Sequence, residues 1–186
     1  MRIRQNTTLR PGALAAAFGV ALLYFGPALA DGGGGGGSNA GSGYPVCKVG
    51  EVYDAASKRC VKKQSSILPD ENLAEYAFAL AKAGRYQEAL DTLDTLHDPN
   101  TAVALNYRGY ITRKLGRVDE GIGFYLKSVA LDPRYAQVRE YLGEAYLLKG
   151  DPAAAKLQLA AIKGICGTTC DAYQHLAVAI ANPADL

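Results

Sequence analysis

The sequence predicts an all-α fold: a helix-turn-helix repeat solenoid of three paired-helix units plus a capping helix, preceded by a small disulfide-closed hairpin. Three observations carry this reading. Gly84, Gly116 and Gly150 each close one apolar helical run and open another, in the segments AKAGRYQEALDTL, RKLGRVDEGIGFY and LLKGDPAAAKLQL, spaced 32 and then 34 residues apart. A period of that length marks helix pairs stacked on one another. Large apolar residues recur at helical spacing on both sides of each glycine, and the four cysteines fall into two close pairs. Solenoids present an extended surface to a partner, so the expected activity is holding a ligand rather than converting one.

In chain order, residues 1–30 read as a secretory signal. Arg2, Arg4 and Arg10 form a positive leader, residues 13–25 are uncharged and apolar, and Ala28, Leu29 and Ala30 place small residues at the cleavage positions. The alternative is an uncleaved anchor, because residues 12–30 carry no charge and are nearly long enough to span a bilayer. Helix-breaking Pro27 favours cleavage, and no cysteine follows the cleavage point to carry a lipid. The expected location is therefore periplasmic or secreted, with a membrane involved only if the segment is retained. Residues 31–43, with six consecutive glycines, form a Gly-rich linker that holds no apolar area to offset the entropy of ordering.

Charge narrows the partner class. The whole chain is formally +2, but without the three leader arginines 17 basic side chains face 18 acidic ones. Residues 44–64 hold five basic and two acidic residues, whereas residues 65–186 hold 12 and 15. Neither segment offers the broad basic face of a nucleic-acid binder, and the cluster from Lys58 to Lys63 reads as solvated surface.

Cys47 and Cys60 bracket the finger at residues 44–64. Within it Glu51, Val52 and Tyr53 form an outgoing strand, residues 54–58 a polar turn, and Cys60 and Val61 the return. Behind a secretory signal an even cysteine count reads as disulfides, and neighbour pairing is the simplest of the three connectivities. A bridge closing these 14 residues contributes about 3 kcal/mol in the chain-entropy model. The motif resembles short elements of secreted proteins, including parts of chitin-binding modules. It lacks their tryptophans and further cysteines, so sugar binding does not carry over.

Residues 69–181 form the expected solenoid. The first unit places Leu73, Tyr76, Ala77 and Leu80 before Gly84, and Tyr86, Ala89, Leu90, Leu93 and Leu96 after it. The second has Leu105, Gly109, Gly116, Val118, Gly121, Tyr125, Ser128, Leu131, Asp132 and Pro133. The third has Leu142, Gly143, Tyr146, Gly150, Pro152, Ala155, Leu159 and Ile162. These positions resemble the tetratricopeptide repeat, most closely in the middle unit with its closing Leu-Asp-Pro. Proline ends the helix there because it lacks the N–H and disfavours helical backbone in the residue before it.

Two departures stand out. The first unit is two residues short, and Gly121 stands where the family prefers alanine, so the helix holding Gly121 and Gly123 is expected to be the softest. Asp151 and Pro152 form an N-cap and first helical residue. Residues 171–181 form a seventh helix with Tyr173, Leu176, Ala177 and Ile180 on one face, capping the stack.

The resemblance also implies a binding groove along the first helix of each unit. Its positions map onto Glu71, Ala74 and Phe78, then Asn106, Tyr110 and Arg113, then Gln137, Glu140 and Glu144. One subset of the family clamps a terminal carboxylate with a lysine and asparagine four apart in the first repeat and a lysine and arginine four apart in the third. Neither pair is present, so the implied ligand is an internal peptide segment or a folded surface. Tyr110 and Arg113 lie one turn apart and are expected to act together as exposed groove residues.

Cys166-Gly-Thr-Thr-Cys170 has neither thioredoxin nor haem-attachment spacing. It reads as a bridge from the end of one helix to the start of the next. The alternative is a thiol or metal protein with copper or zinc held by Cys166, Cys170 and His175, three ligands without an evident fourth. A structural role in the cell envelope is a third possibility. The chain has no G-x-S-x-G, no H-E-x-x-H and no phosphate-cradling loop. The expectation is a protein-interaction module with a protein or peptide partner, no enzymatic activity, no cofactor and no small-molecule substrate.

Overall fold

A computed structural model describes residues 44–63 and 68–186. The signal at residues 1–30, the linker at 31–43 and Gln64 at the end of the finger lie outside the described residues.

A two-stranded antiparallel hairpin comes first, β1 (Glu51–Asp54) paired with β2 (Arg59–Lys62), with Val52 opposite Val61 and Tyr53 opposite Cys60. Asp54 organises its turn by accepting from the Ala56 N–H at 2.9 Å. Cys47 and Cys60 are joined in a disulfide with Cα atoms 5.8 Å apart. A hairpin this small cannot bury a core of its own, and it borrows one: Cys47 and Val52 belong to the same buried cluster as the first helix pairs. The buried Tyr76 hydroxyl accepts from the Cys47 N–H at 3.1 Å and donates to the Glu51 carbonyl at 3.2 Å. Arg85 donates to the Cys47 carbonyl, and Lys63 to the Asp91 carbonyl at 2.9 Å.

Three helix pairs follow: α1 (Asp70–Lys82) with α2 (Tyr86–Leu93), α3 (Ala102–Lys114) with α4 (Val118–Leu131), and α5 (Ala136–Leu148) with α6 (Pro152–Cys166). A seventh helix, α7 (Asp171–Ala181), packs on α5 and α6 and ends in a 3₁₀ turn at Pro183–Asp185. The three units plus cap form a TPR-like helical solenoid.

The recurring glycine is explained by one repeated hydrogen-bond motif. Gly84, Gly116 and Gly150 have φ of +78°, +84° and +75°. At Gly116 the glycine N–H reaches the Arg113 carbonyl at 2.9 Å and the Arg117 N–H reaches that of Thr112 at 3.1 Å. The same two bonds recur after Gly84 and Gly150. These are Schellman turns, which need a left-handed residue at this position and satisfy carbonyls left open at the helix end. The next helix begins two residues later, and the pair folds back on itself. Asp151 caps α6 as its sequence implies, accepting from the Ala154 N–H at 2.9 Å.

Gly121 is a packing requirement. A Cβ there would come within 2.9 Å of the Gly109 carbonyl and 3.1 Å of Arg113 Cβ, while one at Gly109 would strike the Tyr125 ring at 2.6 Å. Alanine at the Gly121 position would force α3 and α4 apart. Gly123 faces open space. Leu131, counted in the apolar pattern of the second unit, is 59% exposed: it ends α4 on the solvent side instead of filling the core. A second buried cluster, Ile162, Ala172, Leu176 and Ala179, seats the capping helix.

Candidate functional site

The first helices of successive pairs pack side by side, α1 on α3 and α3 on α5, with α7 against α5. Their shared inner face is filled by aromatic rings. Phe78 on α1 stacks on Tyr107 at 4.5 Å between centroids and meets Tyr110 edge-on at 5.4 Å. Tyr110 meets Tyr141 of α5 at 5.2 Å. Offset and edge-on arrangements of this kind add to what burial alone contributes.

Two cavities open above these rings. One of about 270 Å³ is lined by Lys82, Tyr110, Arg113, Lys114, Glu140, Tyr141, Glu144 and His175. The other, of about 470 Å³, shares Lys82, Glu140, Tyr141 and His175 with it and adds Phe78, Gln137, Asp171 and Ala172. The structure thus brings together Phe78, Tyr110, Arg113, Gln137, Glu140 and Glu144 from the sequence-derived groove. Three mapped residues line neither cavity: Glu71 is exposed elsewhere, Ala74 is buried in the helix packing, and Asn106 lies beneath the face. The Asn106 amide donates to the Tyr135 hydroxyl at 3.0 Å and Gln137 Oε1 at 3.3 Å, tying α3 to the start of α5.

One expectation is corrected. Tyr110 and Arg113 are only 7% and 4% exposed, so they are packing residues as well as lining residues. The Arg113 guanidinium donates to Glu144 at 2.7 Å and, through Nε, to the Tyr125 hydroxyl at 3.3 Å. Tyr125, fully buried on α4, thereby fixes the guanidinium from behind. A buried charge needs such partners because desolvation without them is costly.

Glu140 is the most perturbed acid on this face. Burial pushes its carboxyl up to about 7, with the nearby Glu144 charge acting in the same direction and His175 and Lys82 opposing. His175 Nδ1 lies 3.1 Å from Glu140 Oε1. His175, weighed in sequence only as a metal ligand, is therefore a groove residue on the capping helix. Cys166 and Cys170 are joined to each other across the turn at Gly167 (φ +82°), which links the end of α6 to the start of α7.

Sequence reasoning also missed Lys82 and Lys114. Each is the last residue of its helix and stands two before a turn glycine, so a recurring Lys-x-Gly was available as a signal.

No family model matches the sequence. No curated protein matches it either. Solved structures do. The chain is similar in fold to the Yersinia enterocolitica type III secretion translocator chaperone SycD, with a TM-score of 0.52 and 19% identity over 62% of this chain and 89% of that one. SycD in complex with a peptide of the translocator YopD gives 0.51 and 20% over 62% and 88%. MamA gives 0.51 and 20% over 62% and 68%. At these identities the likeness is one of fold.

Proposed function

We propose that the chain is a tetratricopeptide-type interaction module that holds a peptide segment of a partner protein along the α1–α3–α5 face. The observation that carries this is the pair of adjacent cavities at the aromatic rings, sharing four lining residues, where rings and charged side chains stand together. An aromatic floor supplies anchoring area, and a polar rim supplies register. The SycD structure with a YopD peptide supports the reading as a precedent for this fold. The groove lacks the lysine, asparagine and arginine pairs of the terminal-carboxylate binders, which favours an internal segment.

We place this activity outside the cytoplasm, on the strength of the leader-like first 30 residues and two disulfides among the described residues. Fold alone does not give function, so the test is site-directed. A benzophenone amino acid in place of Asp171, at the rim of the larger cavity, should cross-link to a discrete partner in the producing cell. The same probe at Leu157, 70% exposed on α6 and in neither cavity, should not. An adduct at Leu157 with none at Asp171 would sink the groove reading.

A further inference from the structure

Three cations converge on one ring. Lys82 Nζ lies 5.7 Å from the Tyr110 centroid, Lys114 Nζ 5.9 Å and the Arg113 guanidinium carbon 5.7 Å. Glu144 pairs with Arg113. Among the described residues neither lysine is in an ion pair: Glu140 acts on Lys82 and Glu144 on Lys114 only from a distance. The other acid lining the smaller cavity, Glu140, is held toward its neutral form by burial and is in contact with His175. The lysines belong to different helices, at the ends of α1 and α3, and both are exposed residues that reach the same ring. The gathering of cations has a cost: the Lys114 ammonium is pushed below its usual range by partial burial and by the Arg113 and Lys82 charges, which outweigh the opposing Glu144 charge. An anion seated between them would relieve that repulsion and gain charge-assisted hydrogen bonds.

We propose that Lys82 and Lys114 form a receptor for an aspartate or glutamate side chain of the bound segment, whose carboxylate is held by the two ammonium groups beside Tyr110 while the neighbouring residues occupy the larger cavity. This rests on the groove reading above and specifies its ligand as an acidic peptide. A side chain fits better than a chain end because the two cavities share four lining residues and lie side by side, so a segment in the larger one reaches the lysines laterally.

The test is selection of random dodecapeptides on the full chain, followed by titration of the winning synthetic peptides. We expect an acidic residue at a fixed distance from an aromatic or aliphatic one. The Lys82→Gln, Lys114→Gln double variant should weaken binding about tenfold or more, and Lys82→Arg with Lys114→Arg should restore most of it. Affinity should fall with salt for the wild type and much less for the glutamine variant. Both lysines are exposed, so the melting temperature of each variant should stay near that of the wild type.

Peptides that cross-link to a benzophenone at Asp171 yet bind the glutamine variant unchanged would overturn the acidic-receptor proposal and leave the groove reading standing. Loss of binding on amidating the peptide C-terminus would also overturn it, by moving the recognised carboxylate to the chain end. Selection that yields no peptide cross-linking at Asp171 would overturn both.

Discussion

Replacing Glu140 with glutamine should stabilise the protein at alkaline pH and do little in acid. The folded chain holds the Glu140 proton more tightly than the unfolded chain, because burial raises its pKa from 4.5 to about 7. A group raised in this way favours folding while both states are protonated, and that contribution is lost as pH climbs from about 4.5 through 7. At about 1.4 kcal/mol per unit the ceiling is on the order of 3 kcal/mol. The groups facing Glu140 lower it or add to it: His175 on α7 and Lys82 on α1 favour the charge, and Glu144 on α5 opposes it. We therefore expect Glu140→Gln to gain about 1–3 kcal/mol at pH 8 and less than about 0.5 kcal/mol at pH 4, below the unfolded-chain value. The glutamine retains an oxygen for His175 Nδ1, so the contact between α5 and α7 survives. Urea denaturation of both proteins across that range gives the difference directly. A glutamine variant less stable than wild type at pH 8 would show that the Glu140–His175 pair holds the cap on and that its charge is not a burden.

Three further outcomes follow from packing and hydrogen bonding. Gly123→Ala, in open space on α4, should add about 0.5–1 kcal/mol, whereas Gly121→Ala, pressed against the Gly109 carbonyl, should cost about 1–3 kcal/mol; paired thermal melts check both. Tyr76→Phe removes the hydroxyl that bonds Cys47 and Glu51 and should cost about 1–3 kcal/mol, with faster amide exchange confined to β1 and β2. Alanine at both Tyr110 and Arg113 should lower stability by about 3 kcal/mol or more, because both are buried and Glu144 loses its partner; an unchanged melting temperature would contradict the packing described.

The helix pairs were legible because the turn chemistry repeats: each unit needs one residue with positive φ, and glycine at Gly84, Gly116 and Gly150 announces it. Residues 171–181 were legible as a helix from the apolar spacing of Tyr173, Leu176, Ala177 and Ile180, and the hairpin from the spacing of Cys47 and Cys60. The inner face was legible only as a face. Mapping chose six residues that do line the cavities, but it treated them as solvated, since periodicity cannot tell a groove floor from a core when Phe78, Tyr107, Tyr110 and Tyr141 from three helices pack into one another. The clash that makes Gly121 necessary depends on the distance between α3 and α4, which the sequence does not state. The pairing of His175 with Glu140 joins residues 35 apart on helices in different units, and no local pattern signals it.

In a stack whose units touch only their neighbours, the margins have one neighbour and ordinarily open first. Here both margins are whipped like the ends of a rope. At one, the Cys47–Cys60 loop is laced to Tyr76 and Arg85; at the other, the Cys166–Cys170 bridge splices α6 to α7. Thermal breathing should then fall inward, at the Gly123 stretch of α4, where a glycine lowers helix propensity without serving a close contact. Amide exchange should run fastest there in the oxidised protein and shift to the two margins on reduction, so the redox state of four sulfurs decides whether the solenoid loosens at its waist or from its ends.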